Sequence, residues 1–179
     1  MKSFLVCTSL LIAAAAVGAQ QPPASPAETA SGSIGGKAIT ITYSAPKVNG
    51  RAGKLFGPDG RISKDPHYPV WRAGANAATT LHTDGNLKIG GLSVPAGTYT
   101  LFADISDPDH WKLIVNKQNG EWGLRYDKAQ DLGQTPMTMS TPSSTVEELK
   151  YTITDNGGGK GSITLAWENH AASVPVGAQ

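Results

Sequence analysis

Residues 87–105 read LKIGGLSVPAGTYTLFADI, and this stretch gives the clearest indication of the fold. Apolar and polar residues alternate in 87–89 and in 92–94, on either side of Gly90-Gly91. This pattern predicts a β-hairpin, because glycine adopts the positive φ angles of a tight turn at little cost. After a Pro-Ala-Gly turn, one face of the next segment carries four apolar residues: Tyr99, Leu101, Ala103 and Ile105.

The same alternation recurs along the chain, and it predicts further strands: 39–43, 77–83, 111–116, 121–126, 146–154, 162–168 and a short edge strand at 174–176. Turns rich in Gly, Asn and Asp separate them. Four prolines between 44 and 69 indicate a long irregular connection, and such loops are often functional. We therefore expect an all-β antiparallel sandwich, jelly-roll-like or immunoglobulin-like, with a small β-barrel as the alternative.

The N-terminus has the three parts of a secretory signal peptide. Lys2 precedes an apolar run from 4 to 17, and Gly18-Ala19 supplies the small residues of a cleavage site. The run is shorter than the roughly 20 residues that span a bilayer, so we expect no transmembrane segment in the mature chain. The prediction is a signal peptide at 1–19 and export to the periplasm or the medium.

The rest of the chain divides into three predicted parts. Residues 20–36 are rich in Pro, Ala, Ser and Gly, which favours a flexible leader. A single β domain is expected at 37–176, followed by a short tail at 177–179. The sequence does not indicate an oligomeric state.

Amino-acid composition argues against several kinds of active site and partner. The only cysteine, Cys7, lies in the predicted signal peptide, so the mature chain would have neither disulfides nor a thiol nucleophile. Loss of Lys2 leaves fourteen Lys and Arg against fourteen Asp and Glu, and this balance argues against nucleic acid or an anionic membrane as partner. The four histidines lie at 67, 82, 110 and 170 without the spacing of a metal motif, so neither metal nor cofactor is expected.

Several short motifs occur in a recognisable order: VWRAGAN at 70–76 with Thr79, IGG at 89–91 before PAGTYTL at 95–101, then Trp111, Asn116, Trp122-Gly123, Trp167-Glu168-Asn169 and Val174-Pro175-Val176. Together they resemble the DUF2911 family of exported bacterial proteins, over residues 39–176. The resemblance implies a secreted β domain. It transfers no catalytic residues, because the function of that family is unknown. Residues 64–69, KDPHYP, depart from the apolar segment that such proteins commonly have there.

The strongest candidate for a binding site follows the long loop. Trp71, Arg72 and Asn76 place an aromatic ring, a guanidinium group and an amide close together, and these groups recognise sugars and carboxylates. With Thr79 and His67 they form a candidate site for a glycan or peptide ligand. In the structural alternative, Trp71 is core, Arg72 pairs with a buried carboxylate such as Glu168, and Asn76 occupies a left-handed turn position.

Two other functions stay open. A hydrolase or lyase of the cell envelope would pair His67 or His82 with Asp65 or Asp84 as acid and base. A structural role in envelope assembly would require a large exposed apolar patch. The sequence favours a protein without enzymatic activity but does not decide the question. The remaining tryptophans, Trp111, Trp122 and Trp167, lie in predicted strands and are expected in the core.

Overall fold

The computed structural model describes residues 25–179. Short single 3-10 turns at Ile62–Lys64 and Lys128–Gln130 are the helical segments of this part of the chain. The strands are β1 (Ala27–Ile34), β2 (Lys37–Ser44), β3 (Val70–Trp71), β4 (Thr79–Thr83), β5 (Leu87–Ile89), β6 (Leu92–Val94), β7 (Gly97–Asp104), β8 (Lys112–Asn116), β9 (Asp131–Pro136), β10 (Thr138–Ser140), β11 (Val146–Gly157), β12 (Lys160–Glu168) and β13 (His170–Ala178).

The strands form two antiparallel sheets. The first has the order β1-β2-β4-β7-β8-β9, and β3 also pairs with β7. The second has the order β11-β12-β13-β5-β6, and β10 also pairs with β13. Because the sheets do not close on themselves, the predicted β-sandwich is confirmed and the barrel alternative is wrong.

The stretch that predicted the fold forms the hairpin and strand expected of it. Ile89 pairs with Leu92 across the turn, where Gly90 has a φ of 57°. All four apolar residues of the predicted face are buried in the core. The opposite face of β7 is covered as well: the Thr100 hydroxyl donates to the Gln118 carbonyl at 2.7 Å, and Phe102 meets the ring of Tyr126 edge-on.

The predicted flexible leader is wrong from residue 27 onward. β1 pairs with β2 along its whole length, from Ala27 opposite Ser44 to Ile34 opposite Lys37. Its sequence, AETASGSI, has few apolar side chains because β1 lies at the edge of the sheet, where backbone hydrogen bonds hold the strand. The predicted tail is also wrong, since β13 continues to Ala178. Residues 20–24 and the predicted signal peptide lie outside the described residues.

Two other strand predictions need correction. Residues 121–126 form a turn region with one isolated bridge, between Trp122 and Ala77, and the chain instead forms β9 further on. The predicted edge strand at 174–176 is the middle of β13, an interior strand. Pro175 is tolerated there because it lies between the residues that pair with β10 and those that pair with β5, so no strand requires an N–H from it. Its carbonyl accepts a hydrogen bond from Gly90 N.

The candidate site is positioned by the way β3 and β4 share one neighbour. β3 pairs with Ala103 and Asp104 of β7, and β4 pairs with residues 97–101 of the same strand. Residues 72–78 therefore leave the sheet between two short strands and return to it. The structure confirms the 44–69 loop as a long irregular connection. The excursion lies against the start of this loop, because Ala75 N donates to the Ser44 carbonyl at 3.2 Å.

Candidate ligand-binding cleft

An open cleft of about 1150 Å³ lies between the 44–69 loop and the 72–78 excursion. The loop contributes residues from Pro46 to Asp65, and the excursion contributes Arg72, Gly74, Ala75 and Asn76. Trp167 near the end of β12 also lines it. The site is therefore built from irregular segments held on a rigid sandwich, which is the usual location of a binding site.

The cleft is strongly basic. Five cationic side chains line it, against Asp65 as its one acidic residue: Lys47, Arg51, Arg61, Lys64 and Arg72. A neighbouring depression of about 570 Å³ shares three of them and adds Lys54 and Asp59. The chain as a whole carries 15 Lys and Arg against 14 Asp and Glu. Its overall balance thus conceals a local excess of positive charge.

Two of the five cations are already engaged. Arg72 donates from Nη2 to both carboxylate oxygens of Asp65, at 3.0 and 3.1 Å. The guanidinium of Arg51 donates to the carbonyls of Val48 and Lys47. Among the described residues, Lys47, Arg61 and Lys64 form no salt bridge, and all three are exposed. These three side chains therefore carry unneutralised positive charge at the cleft.

The structure separates the five residues predicted for the site. Arg72 and Asn76 line the cleft, and Asn76 has a φ of 55°, the left-handed conformation expected of it. Trp71 and Thr79 are buried in the core and do not line the cleft. His67 packs edge-on against the ring of Tyr126 and is not part of the cleft wall.

The expected pairing of Arg72 with Glu168 is also wrong, because Glu168 is used elsewhere. Its carboxylate is buried and accepts a hydrogen bond from the backbone N–H of Gly53, in the 44–69 loop. Its other oxygen lies 3.7 Å from Nδ1 of His170. Glu168 adopts a φ of 55°, an unusual conformation for a residue with a side chain. It therefore ties the loop to the turn between β12 and β13.

Phe56 is the second anchor of the loop. Its ring centroid lies within 6 Å of four other rings, at 5.6 Å from Trp71, 5.1 Å from Trp111, 5.7 Å from Trp167 and 4.4 Å from His170. Trp71, Trp111 and Trp167 are core residues, which confirms the prediction for the latter two. The same prediction is wrong for Trp122, which is 53% exposed. Aromatic pairs at such distances add stability beyond their buried area.

His170 belongs to this anchor rather than to the cleft wall. Its ring stacks on Trp111 with an interplanar angle of 11°. Burial lowers the pKa of His170, and the neighbouring Glu168 carboxylate acts in the opposite direction. Within the described residues, Nδ1 of His170 and Nε1 of Trp167 are buried without a hydrogen-bond partner.

The acid–base pairs proposed for a hydrolase do not form in the described chain. Asp65 binds Arg72 rather than His67. His82 lies 3.0 Å from the Thr98 hydroxyl, and Asp84 instead accepts from the N–H of Ala38. Between residues 25 and 179, no group of three or more His, Cys, Asp or Glu side chains is arranged to hold a metal ion.

The fold and the cleft define a class of protein: an antiparallel β-sandwich with a basic cleft beside its long loop. Residues 25–176 match the family described as "Protein of unknown function (DUF2911)", and the chain belongs to this family. The match includes β1, in agreement with the corrected start of the domain. No curated protein and no solved structure matches the chain. No helix of residues 25–179 is long and apolar enough to cross a membrane.

Proposed function

We propose that the protein is a non-enzymatic binding module that takes an anionic ligand, a glycan or peptide carrying carboxylate groups, in the basic cleft. The observation that carries this proposal is the set of five cations around one carboxylate. Guanidinium and ammonium groups donate charge-assisted hydrogen bonds to carboxylates. A concave surface lined by one sign of charge also concentrates ligands of the opposite sign.

The cleft contains one cation held in a fixed position and several exposed ones. Arg72 is held in place by Asp65 and by the Asn76 carbonyl, which accepts from its Nη1 at 3.4 Å. It therefore offers its remaining donors without having to be ordered first, and such preorganisation lowers the cost of binding. Exposed Lys47, Arg61 and Lys64 then contribute charge around it.

Charge reversal in the cleft tests this function. We expect acidic glycans or peptides to raise the melting temperature of the protein, because a ligand that binds only the folded state stabilises it. At a ligand concentration a hundred times the Kd, the free energy of unfolding rises by about 2.7 kcal/mol. For a domain of this size, this corresponds to a rise in melting temperature of roughly 5–10 °C. The double variant Arg61→Glu, Lys64→Glu should lose the shift. The shift should also shrink with added salt, since exposed charges are screened.

The matched control is the double variant Lys88→Glu, Lys160→Glu. It makes the same change in net charge at two exposed lysines that both lie opposite Gly177, at the other end of β12 from Trp167. We expect this control to keep the full shift. An equal loss in both variants would mean that net charge matters rather than the cleft, and the absence of any shift with all acidic ligands would remove the proposal.

We also propose that the protein is exported and acts in the periplasm or the medium. The pattern of residues 1–19 supports this, and so does the position of the first strand, which begins at Ala27, beyond that segment. Cell fractionation with N-terminal sequencing is the test. A mature protein that begins at Gln20 is expected, and a cytoplasmic protein that retains residues 1–19 would contradict the proposal.

A further inference from the structure

Trp122 is the one large hydrophobic residue that stands exposed in the described part of the chain. It is 53% exposed, whereas Trp71, Trp111 and Trp167 are each 5% exposed or less. A single exposed apolar residue is ordinary on a protein surface, so Trp122 is informative only through its position beside the basic cleft.

The backbone around Trp122 is fixed to the rim of the basic cleft. Trp122 forms the isolated bridge with Ala77, and Gly123 N donates to the Asn76 carbonyl at 3.1 Å. Gly123 also packs so closely that a Cβ there would lie 2.7 Å from Cδ of Arg72. Arg72 and Asn76 are cleft residues. The backbone at residues 122–123 therefore adjoins two residues of the cleft, Arg72 and Asn76.

We propose that the ligand is an acidic oligosaccharide, one of whose sugar rings stacks on Trp122 while its anionic groups bind the cations of the cleft. This inference rests on the proposed function and makes the ligand specific. A pyranose ring offers C–H groups to an aromatic face, and its carboxylate or sulfate groups accept from guanidinium and ammonium donors. The two depressions share Arg51, Arg61 and Lys64, so the basic surface continues from one depression into the other.

The other polymeric anions fit this surface less well. A peptide commonly binds a β domain by adding a strand to a sheet edge. The cleft is lined by the 44–69 loop, the 72–78 excursion, Ser25 and Trp167, and none of its lining residues lies in a terminal strand of either sheet. Single-stranded nucleic acid uses successive aromatic platforms for its bases, and the described residues expose one tryptophan.

Tryptophan fluorescence provides a direct test, because acrylamide reaches Trp122 and not the three buried indoles. The probes are oligogalacturonate, its methyl ester as the uncharged control, a sulfated oligosaccharide, poly-glutamate and oligo-dT. We expect oligogalacturonate or the sulfated sugar to protect the fluorescence from quenching, down to the level of Trp122→Phe. Trp122→Ala should weaken binding about three- to tenfold, and the methyl ester should not bind.

The outcomes separate this inference from the proposed function. If acidic sugars bind in a manner that requires Arg61 and Lys64, but Trp122 stays open to acrylamide and Trp122→Ala binds as well as the wild type, the stacking inference is overturned and the anion-binding function stands. Tighter binding of poly-glutamate or oligo-dT than of either acidic sugar also overturns it. If none of the anions binds, both proposals fail.

Discussion

Replacing Glu168 tests how the 44–69 loop is held against the sandwich. Glu168→Ala removes the acceptor of the Gly53 N–H and the carboxylate beside His170. A hydrogen bond to a charged group contributes about 1.5–3 kcal/mol net, and the burial of the carboxylate offsets part of that gain. We therefore expect the free energy of unfolding to fall by about 2 kcal/mol, measured by urea denaturation.

The left-handed backbone at Glu168 supplies an internal control. Glu168→Gly removes the same carboxylate, but glycine adopts a φ of 55° without the steric cost that alanine meets there. We expect Glu168→Gly to be more stable than Glu168→Ala by about 1 kcal/mol, the reverse of the usual order in a strand. Glu168→Gln keeps an acceptor for Gly53 and should lie closer to the wild type.

Hydrogen exchange at the Gly53 amide shows whether the 44–69 loop becomes less stable when Glu168 is replaced. Its exchange should accelerate in Glu168→Ala and Glu168→Gly, and should remain slower in Glu168→Gln. The reasoning is refuted if Glu168→Ala unfolds at the same urea concentration as the wild type with Gly53 still protected, or if the glycine variant is less stable than the alanine variant.

Three further predictions concern other anchors of the fold. Phe56→Ala should lower the free energy of unfolding by about 3 kcal/mol, because Phe56 contacts four rings, and it should speed exchange in the 44–69 loop; unchanged exchange there would contradict this. Burial lowers the pKa of His170, so below about pH 6.5 the unfolded chain binds more protons than the folded protein. The free energy of unfolding should therefore fall between pH 7.5 and pH 5.5, and it should fall less in His170→Phe. An equal fall in the wild type and in His170→Phe would contradict this prediction. Ile34→Ala should cost about 2–3 kcal/mol, because Ile34 is fully buried in β1, whereas a residue of a flexible leader would cost nothing.

Strands that face the core on one side could be predicted from the sequence, and strands held mainly by pairing could not. Tyr99 and Leu101 alternate with polar neighbours, so their period is visible in the chain itself. β1 and β9 lie at the two ends of the first sheet, and Asp131–Pro136 has Leu132 as its one large apolar side chain. They pair with β2 and β8 along their length, and backbone pairing leaves little pattern in the sequence. In β1 only Ile34, its last residue, is fully buried, so no alternation is visible there.

The candidate site could be predicted in part, for a similar reason. Arg72 and Asn76 were visible as an unusual local combination, and the long loop was visible from its prolines. The excess of cations between 47 and 72 is also present in the sequence, but an average over the whole chain hides it. The contact between Gly53 and Glu168 joins residues 115 positions apart, and no local pattern reveals such a pairing.

The 44–69 loop combines two features that would conflict in a mobile segment. The Phe56 ring packs against Trp167, and the Gly53 N–H donates to Glu168. The charged side chains Lys47, Arg61 and Lys64 are instead exposed to solvent around the cleft. Like charges held close together repel one another, and a free loop would relax by spreading them apart. Because these anchors hold the backbone of the loop, the three cations stay at the cleft, and much of the entropy of ordering the loop is lost on folding, before the proposed ligand would bind. The long irregular connection is therefore compatible with selective binding of an anion because its apolar and backbone groups, rather than its charges, hold it in place.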